Sequence, residues 1–138
     1  MRIEHSIDIA APISTVWGLT IDIESWPTIT PTITSVERLD SGSLEIGSKA
    51  RLKQPGQLLR VWTVTALEPE HRFTWSTRAM GVTMTGSHVL AESEAGTTNT
   101  LTVDIDGPLS PIIGAVVRGP ISKAIATENR GFKVAAEQ

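Results

Sequence analysis

Ile3, His5, Ile7 and Ile9 alternate with Arg2, Glu4, Ser6 and Asp8, the two-residue period of a strand with one buried face. Ala11-Pro12 closes that strand, and proline suits the first turn of a helix, where its missing N–H has no partner to lose. Ile13, Val16, Trp17 and Thr20 fall at helical spacing and predict a helix from about Ile13 to Ile23, with a second short turn over Ile23–Trp26. Trp26-Pro27 is expected to close the helical region, because the residue before a proline avoids the helical well.

After Pro31 the pattern changes. Thr, Val and Ile recur, and turn formers return at short intervals, as in an antiparallel meander. Strands are predicted near Ile33–Leu39, Lys49–Gln54, Leu59–Leu67, Arg72–Arg78, Val82–Ala91 and Thr98–Ile105. Asp40-Ser41-Gly42, Pro55-Gly56, Glu68-Pro69-Glu70, Ala79–Gly81 and Glu94-Ala95-Gly96 connect them. Gly107-Pro108 ends the last strand. From Ser110 to Ala136 an apolar stripe runs through Ile113, Val116, Val117, Pro120, Ile121, Ala124, Ile125, Phe132 and Ala135, predicting a long amphipathic helix with a kink at Gly119-Pro120.

The class is therefore α+β: about seven antiparallel strands, two short helices after the first strand, and one long C-terminal helix. Only that helix is long enough to cover the apolar face of the sheet, so the sheet must curl around it. Where the two do not close tightly, a cavity remains.

Strand parity names the inward residues. Leu52 opposes Arg51 and Lys53; Phe73 and Trp75 oppose Arg72 and Thr74; Met84, Gly86, His88 and Leu90 oppose Thr85 and Ser87; Val103 opposes Thr102 and Asp104. In Leu59–Leu67 both faces are half apolar, and either Trp62 or Thr63 points inward. With Val117, Ile121, Ile125 and Phe132 from the helix, these residues form the expected wall of a ligand site. Trp26 is expected near its mouth as a gate, and Met80 and Met84 suit an adaptable apolar pocket. Trp17 reads as helix-to-sheet packing.

Composition fits one domain over residues 1–138, with 40% hydrophobic and 20% charged residues. Twelve basic against fifteen acidic residues give a net charge of −3, which supplies no electrostatic footprint for nucleic acid. There is no cysteine, hence no disulfide, thiolate nucleophile or zinc-finger ligand set. The charged N-terminus and the lack of a long apolar run point to a cytoplasmic protein with no transmembrane segment. The three histidines show neither HxH nor HExxH spacing, and GxGxxG, phosphate-loop and GxSxG motifs are missing, so no metal or cofactor is expected. Nothing in the sequence specifies an oligomeric state.

Ile7-Asp8-Ile9-Ala10-Ala11-Pro12, Val16-Trp17, Asp22 and Trp26-Pro27 together resemble the opening of the START / birch-pollen-allergen (SRPBCC) superfamily, in its polyketide cyclase/dehydrase-like branch. Ser35–Leu39 with Gly47-Ser48, Trp62–Thr65, Phe73-Thr74-Trp75, Gly86-Ser87-His88 and Glu128–Lys133 fit the same pattern, so the resemblance covers essentially the whole chain. It implies a helix-grip fold around a hydrophobic cavity. Members bind lipids, sterols, quinones, plant hormones or polyketides, and some are aromatases or cyclases. The branch shares no catalytic signature to carry over.

Two residues break the apolar lining. His88 either orients a ligand carbonyl and exchanges a proton, or is a core histidine bonded to a neighbour or turned outward by a bulge. Glu128, four residues after Ala124 and four before Phe132, either faces the sheet with its pKa raised by burial, or reaches water or a strand arginine. His5 near a strand start and His71 in a turn are expected to be solvated, as are Asp104 and Asp106.

Three functions fit: binding of a small hydrophobic ligand between sheet and helix, with opening motions at Ala79–Gly81 and Gly119-Pro120; a polyketide cyclase or dehydratase using His88 and Glu128; or a protein-interaction domain with a filled interior.

Overall fold

The alternation at the N-terminus becomes strand β1 (Arg2–Ile9), with Ile3 and Ile9 buried and Arg2, Glu4, Ser6 and Asp8 exposed. The computed structural model describes residues 1–138. After β1 come α1 (Ile13–Ile21), a 3₁₀ turn (Ile23–Ser25) and α2 (Trp26–Ile29). Six strands follow: β2 (Ser35–Arg38), β3 (Lys49–Lys53), β4 (Arg60–Glu68), β5 (Arg72–Ala79), β6 (Val82–Ser93) and β7 (Gly96–Asp106), and then α3 (Ser110–Ala136).

All seven strands form one antiparallel curved sheet in the order β1-β7-β6-β5-β4-β3-β2. The helical segment between β1 and β2 therefore carries the chain from one edge of the sheet to the other. Strands β2 to β7 are each joined to the next in sequence, as the recurring turn formers predict.

Three local departures from expectation have physical causes. Trp26-Pro27 opens α2 rather than closing the helical region, because Pro27 lies in the first turn, where no N–H is needed. Strand β2 is shorter than Ile33–Leu39; Ile33 is buried in the core without joining the ladder. A bulge between Val64 and Ala66 shifts the pairing of β4 with β5, so Val64 faces Trp75 and Leu67 faces Phe73. That extra residue explains why β4 shows no clean alternation: the inward parity changes at Thr65. Trp62 is buried and Thr63 is not.

Helix α3 runs unbroken through Gly119-Pro120. Pro120 has no N–H to give the Val116 carbonyl, but Val116 is exposed, so water can take that role. Gly114, Ile125, Asn129, Phe132 and Ala136 are its buried positions, whereas Val116 and Pro120, expected in the apolar stripe, are exposed because they lie on the far side of the helix from those residues. At Gly131 the absent side chain lets the Ile29 carbonyl of α2 approach so closely that a Cβ would strike it.

Two apolar clusters make the core. The larger centres on Trp26, Phe73, Trp75 and Phe132 under α1 and α2; the smaller joins Ile3, Val82, Leu101, Ile105 and Ile125. No helix is long and apolar enough to cross a membrane.

Candidate functional site

Between the inward face of the sheet and α3, the side chains leave a cavity of about 450 Å³. Its size lies within the roughly 300–1,000 Å³ usual for small-molecule sites. Of its 24 lining residues 14 are hydrophobic, so apolar area would dominate the affinity of any occupant.

Gly86 makes room on the sheet side. It lies on the inward face of β6 with the Trp75 and Trp62 rings over it, and a Cβ there would meet them at 3.6 and 3.8 Å. The two indoles are 5.3 Å apart and form part of the wall.

His88, one inward position further along β6, sits in an aromatic cage. Its ring stacks on Trp26 at 5.0 Å, while Phe73 and Phe132 meet it edge-on at 5.7 and 5.5 Å. Its Nδ1 is buried without a hydrogen-bond partner. Burial away from water pushes the pKa down to about 4, so the imidazole is neutral at pH 7. A neutral ring in such a place can donate or accept one hydrogen bond, but it carries no charge.

Glu128 meets the cavity from α3, one turn beyond Ala124 and Ile125. It belongs to none of the five ion pairs of the molecule. Burial pushes its pKa up to about 7, partly offset by the Thr32 hydroxyl. Near neutrality this carboxyl can therefore hold or release a proton.

Leu52, Trp75, Met84, Val103, Val117, Ile121, Ile125 and Trp26 all lie on the wall with His88 and Glu128. Two expected wall residues do not. Phe73 and Phe132 are almost fully buried and pack behind His88 and Trp26 as core. Trp26 is no gate: at 2% exposure it lies deep, with its Nε1–H donating to the Leu19 carbonyl at 3.2 Å. The lip is instead formed by Leu58 and Met80, which line the cavity while remaining exposed.

His5 keeps partial access to solvent, but its ring is held by a hydrogen bond. Its Nδ1 lies 3.0 Å from the Asn129 amide, which also donates to the carbonyls of His5 and Asn99 at 3.1 Å. Asn99 in turn donates to Asn129 Oδ1 at 2.8 Å. This buried network ties β1, β7 and α3 together beside the cavity. His71 is exposed, and Asp104 forms an exposed pair with Arg2 at 2.8 Å.

Sequence reasoning missed Arg60, Gln54 and Gln57 on the wall. The signal was present for Arg60, which shares the inward parity of Trp62 and Val64 on β4; the bulge at Thr65 obscured it.

The chain matches, over residues 1–137, the family described as polyketide cyclase / dehydrase and lipid transport. No curated protein matches it. Several solved structures share its fold. A START superfamily protein from Mycobacterium smegmatis is 16% identical with a TM-score of 0.81, over 99% of this chain and 97% of that one. A hypothetical protein from Helicobacter pylori is 10% identical with a TM-score of 0.84, over 99% and 88%. The di-domain aromatase/cyclase StfQ of the steffimycin biosynthetic pathway is 14% identical with a TM-score of 0.76, over 99% of this chain and 50% of that one. At these identities the likeness concerns the fold alone; it is the match along nearly the full length that shows that this chain belongs to the polyketide cyclase / dehydrase and lipid transport family.

Proposed function

We propose that this protein binds one small hydrophobic ligand, of the lipid, quinone, sterol or polyketide kind, inside the cavity between the sheet and α3. The observation that carries the reading is a cavity of about 450 Å³ with a mainly apolar wall, floored by Gly86 and two indoles. Apolar area removed from water at about 25 cal/mol per Å² is the driving term, and His88 and Glu128 give the occupant a polar anchor. A filled interior, which the protein-interaction reading needs, is at odds with this space.

A second reading, turnover of a polyketide-like substrate, draws on the opposed pKa values of His88 and Glu128. A neutral imidazole and a carboxyl poised near pH 7 in one cavity are suited to proton exchange. Binding leads, because His88 and Glu128 are the only wall side chains suited to proton exchange, few for an enzyme.

Fluorescence titration with Nile red tests the binding reading. The wild type is expected to take up one dye per chain. Ala124→Trp, which places an indole in the cavity from the α3 side, is expected to abolish uptake while leaving the fold intact by circular dichroism. Uptake undiminished in that variant would move the dye site elsewhere.

A further inference from the structure

We infer that the cavity is built for an amphiphile with a singly charged anionic head, a carboxylate, received by Arg60 at the mouth while its apolar body runs inward toward His88. The inference rests on the ligand-binding reading above and names the class of ligand.

Arg60 lies on the inward face of β4, two residues before the buried Trp62, and its side chain lines the cavity. The arginines at 2, 38, 51 and 72 are each engaged by a carboxylate, at Asp104, Asp40, Glu37 and Glu68. Arg60 has none, although it is half-buried beside an apolar space. A guanidinium fork in that position is suited to two parallel hydrogen bonds to a carboxylate.

The surroundings favour an anion there and nowhere else in the cavity. Arg60 and Glu128 are the only wall residues of formal charge. Gln54 and Gln57 line the cavity beside Arg60, and a glutamine amide is a neutral donor. Lys53 is taken up in bracing the mouth loop, donating to the Gln54 and Gln57 carbonyls, which leaves Arg60 as the cation of the wall. Deeper in, a carboxylate would meet the Glu128 carboxyl and apolar rings, so the head belongs at the mouth.

The sheet register separates the two ends. Thr63 pairs with Ser76 and Ser76 with Thr85, so Arg60 is level with the turn joining Ala79 to Val82. His88 lies six residues along β6 from Val82, about 20 Å of extended strand. That distance suits a medium-length chain with its head at one end. One unpaired guanidinium suits a single negative charge better than a phosphate monoester, which carries about −1.5 to −2.

The test is displacement of Nile red at neutral pH by dodecanoate, methyl dodecanoate and dodecylamine. Dodecanoate is expected to bind about tenfold tighter than its methyl ester, in keeping with one charge-assisted pair, and dodecylamine the weakest. Arg60→Gln is expected to bring acid and ester within about twofold by weakening the acid alone. Arg60→Lys keeps part of the preference, and Arg78→Gln, at the same end of the sheet but off the wall, keeps all of it. A wild type that takes up Nile red yet does not prefer the acid, or an Arg60→Gln variant that still does, overturns the anionic head and leaves the cavity reading standing. A wild type that takes up neither dye nor any dodecyl compound overturns both.

Discussion

His88 lies nearly flat on Trp26, their ring centroids 5.0 Å apart and their planes inclined by 28°. The stack holds a titratable ring away from water, and that loss of hydration disfavours its charged form. Glu128, on the facing helix, meets the same dry space from the acidic side. The fold thus keeps the imidazole neutral and raises the proton affinity of the carboxyl within one cavity, and each shift has a consequence for stability.

Those consequences oppose each other. The unfolded chain protonates His88 near 6.5 and the folded one near 4, so between these values stability rises with pH. Glu128 ionises near 4.5 when unfolded and near 7 when folded, so between those values stability falls as pH rises. Across the shared window, pH 4.5 to 6.5, the two slopes cancel and their joint contribution is flat. Glu128→Gln should leave the His88 slope exposed, a gain of at most about 1.4 kcal/mol per pH unit. His88→Phe should leave the opposite slope. Urea denaturation across the window checks both; variants that parallel the wild type would contradict the assignment.

Asn129→Ala should destabilise the protein by about 2–4 kcal/mol, because it strands the buried Asn99 amide and the His5 carbonyl and leaves a small void. Asn99→Ala should cost a similar amount. Since the two amides act as a unit, the double variant should be only slightly worse than either single one. Full additivity in a double-mutant cycle would mean that the network does not couple β7 to α3.

Two glycines of α3 should respond in opposite directions to alanine. Helix propensity alone favours Ala over Gly by about 1 kcal/mol. At Gly119 nothing lies within 4 Å of an added Cβ, so Gly119→Ala should raise stability. At Gly131 the methyl would strike the Ile29 carbonyl, so Gly131→Ala should lower it by about 2 kcal/mol or more as α2 is pushed away. Thermal or urea unfolding of the pair decides the matter, and a stabilising Gly131→Ala would refute the close approach.

Most of the fold is written in periodicity. The alternation in β1, the Thr- and Val-rich meander and the stripe from Ile113 to Phe132 each have one face to bury, and the structure buries it. Inward parity placed Leu52, Trp75, Met84, Val103 and His88 on the side where the cavity forms. What parity cannot tell is depth. Phe73 and Phe132 share the inward face but lie behind the wall, since the larger cluster closes over them while the space near Gly86 stays open. Trp26 was misplaced for a related reason: a Trp-Pro pair marks a chain bend, not its distance from solvent. Arg60 escaped notice because the bulge at Thr65 breaks the alternation that identifies its face. The Asn99–Asn129–His5 network joins residues up to 124 positions apart in sequence, a pairing that no local pattern encodes.

Native mass spectrometry of the protein as purified from cells, with extraction and identification of what it carries, tests the central claim most directly. The account predicts a population bearing one apolar or amphiphilic molecule per chain, missing from Ala124→Trp. A wild type that is entirely bare and also fails to take up Nile red would contradict it.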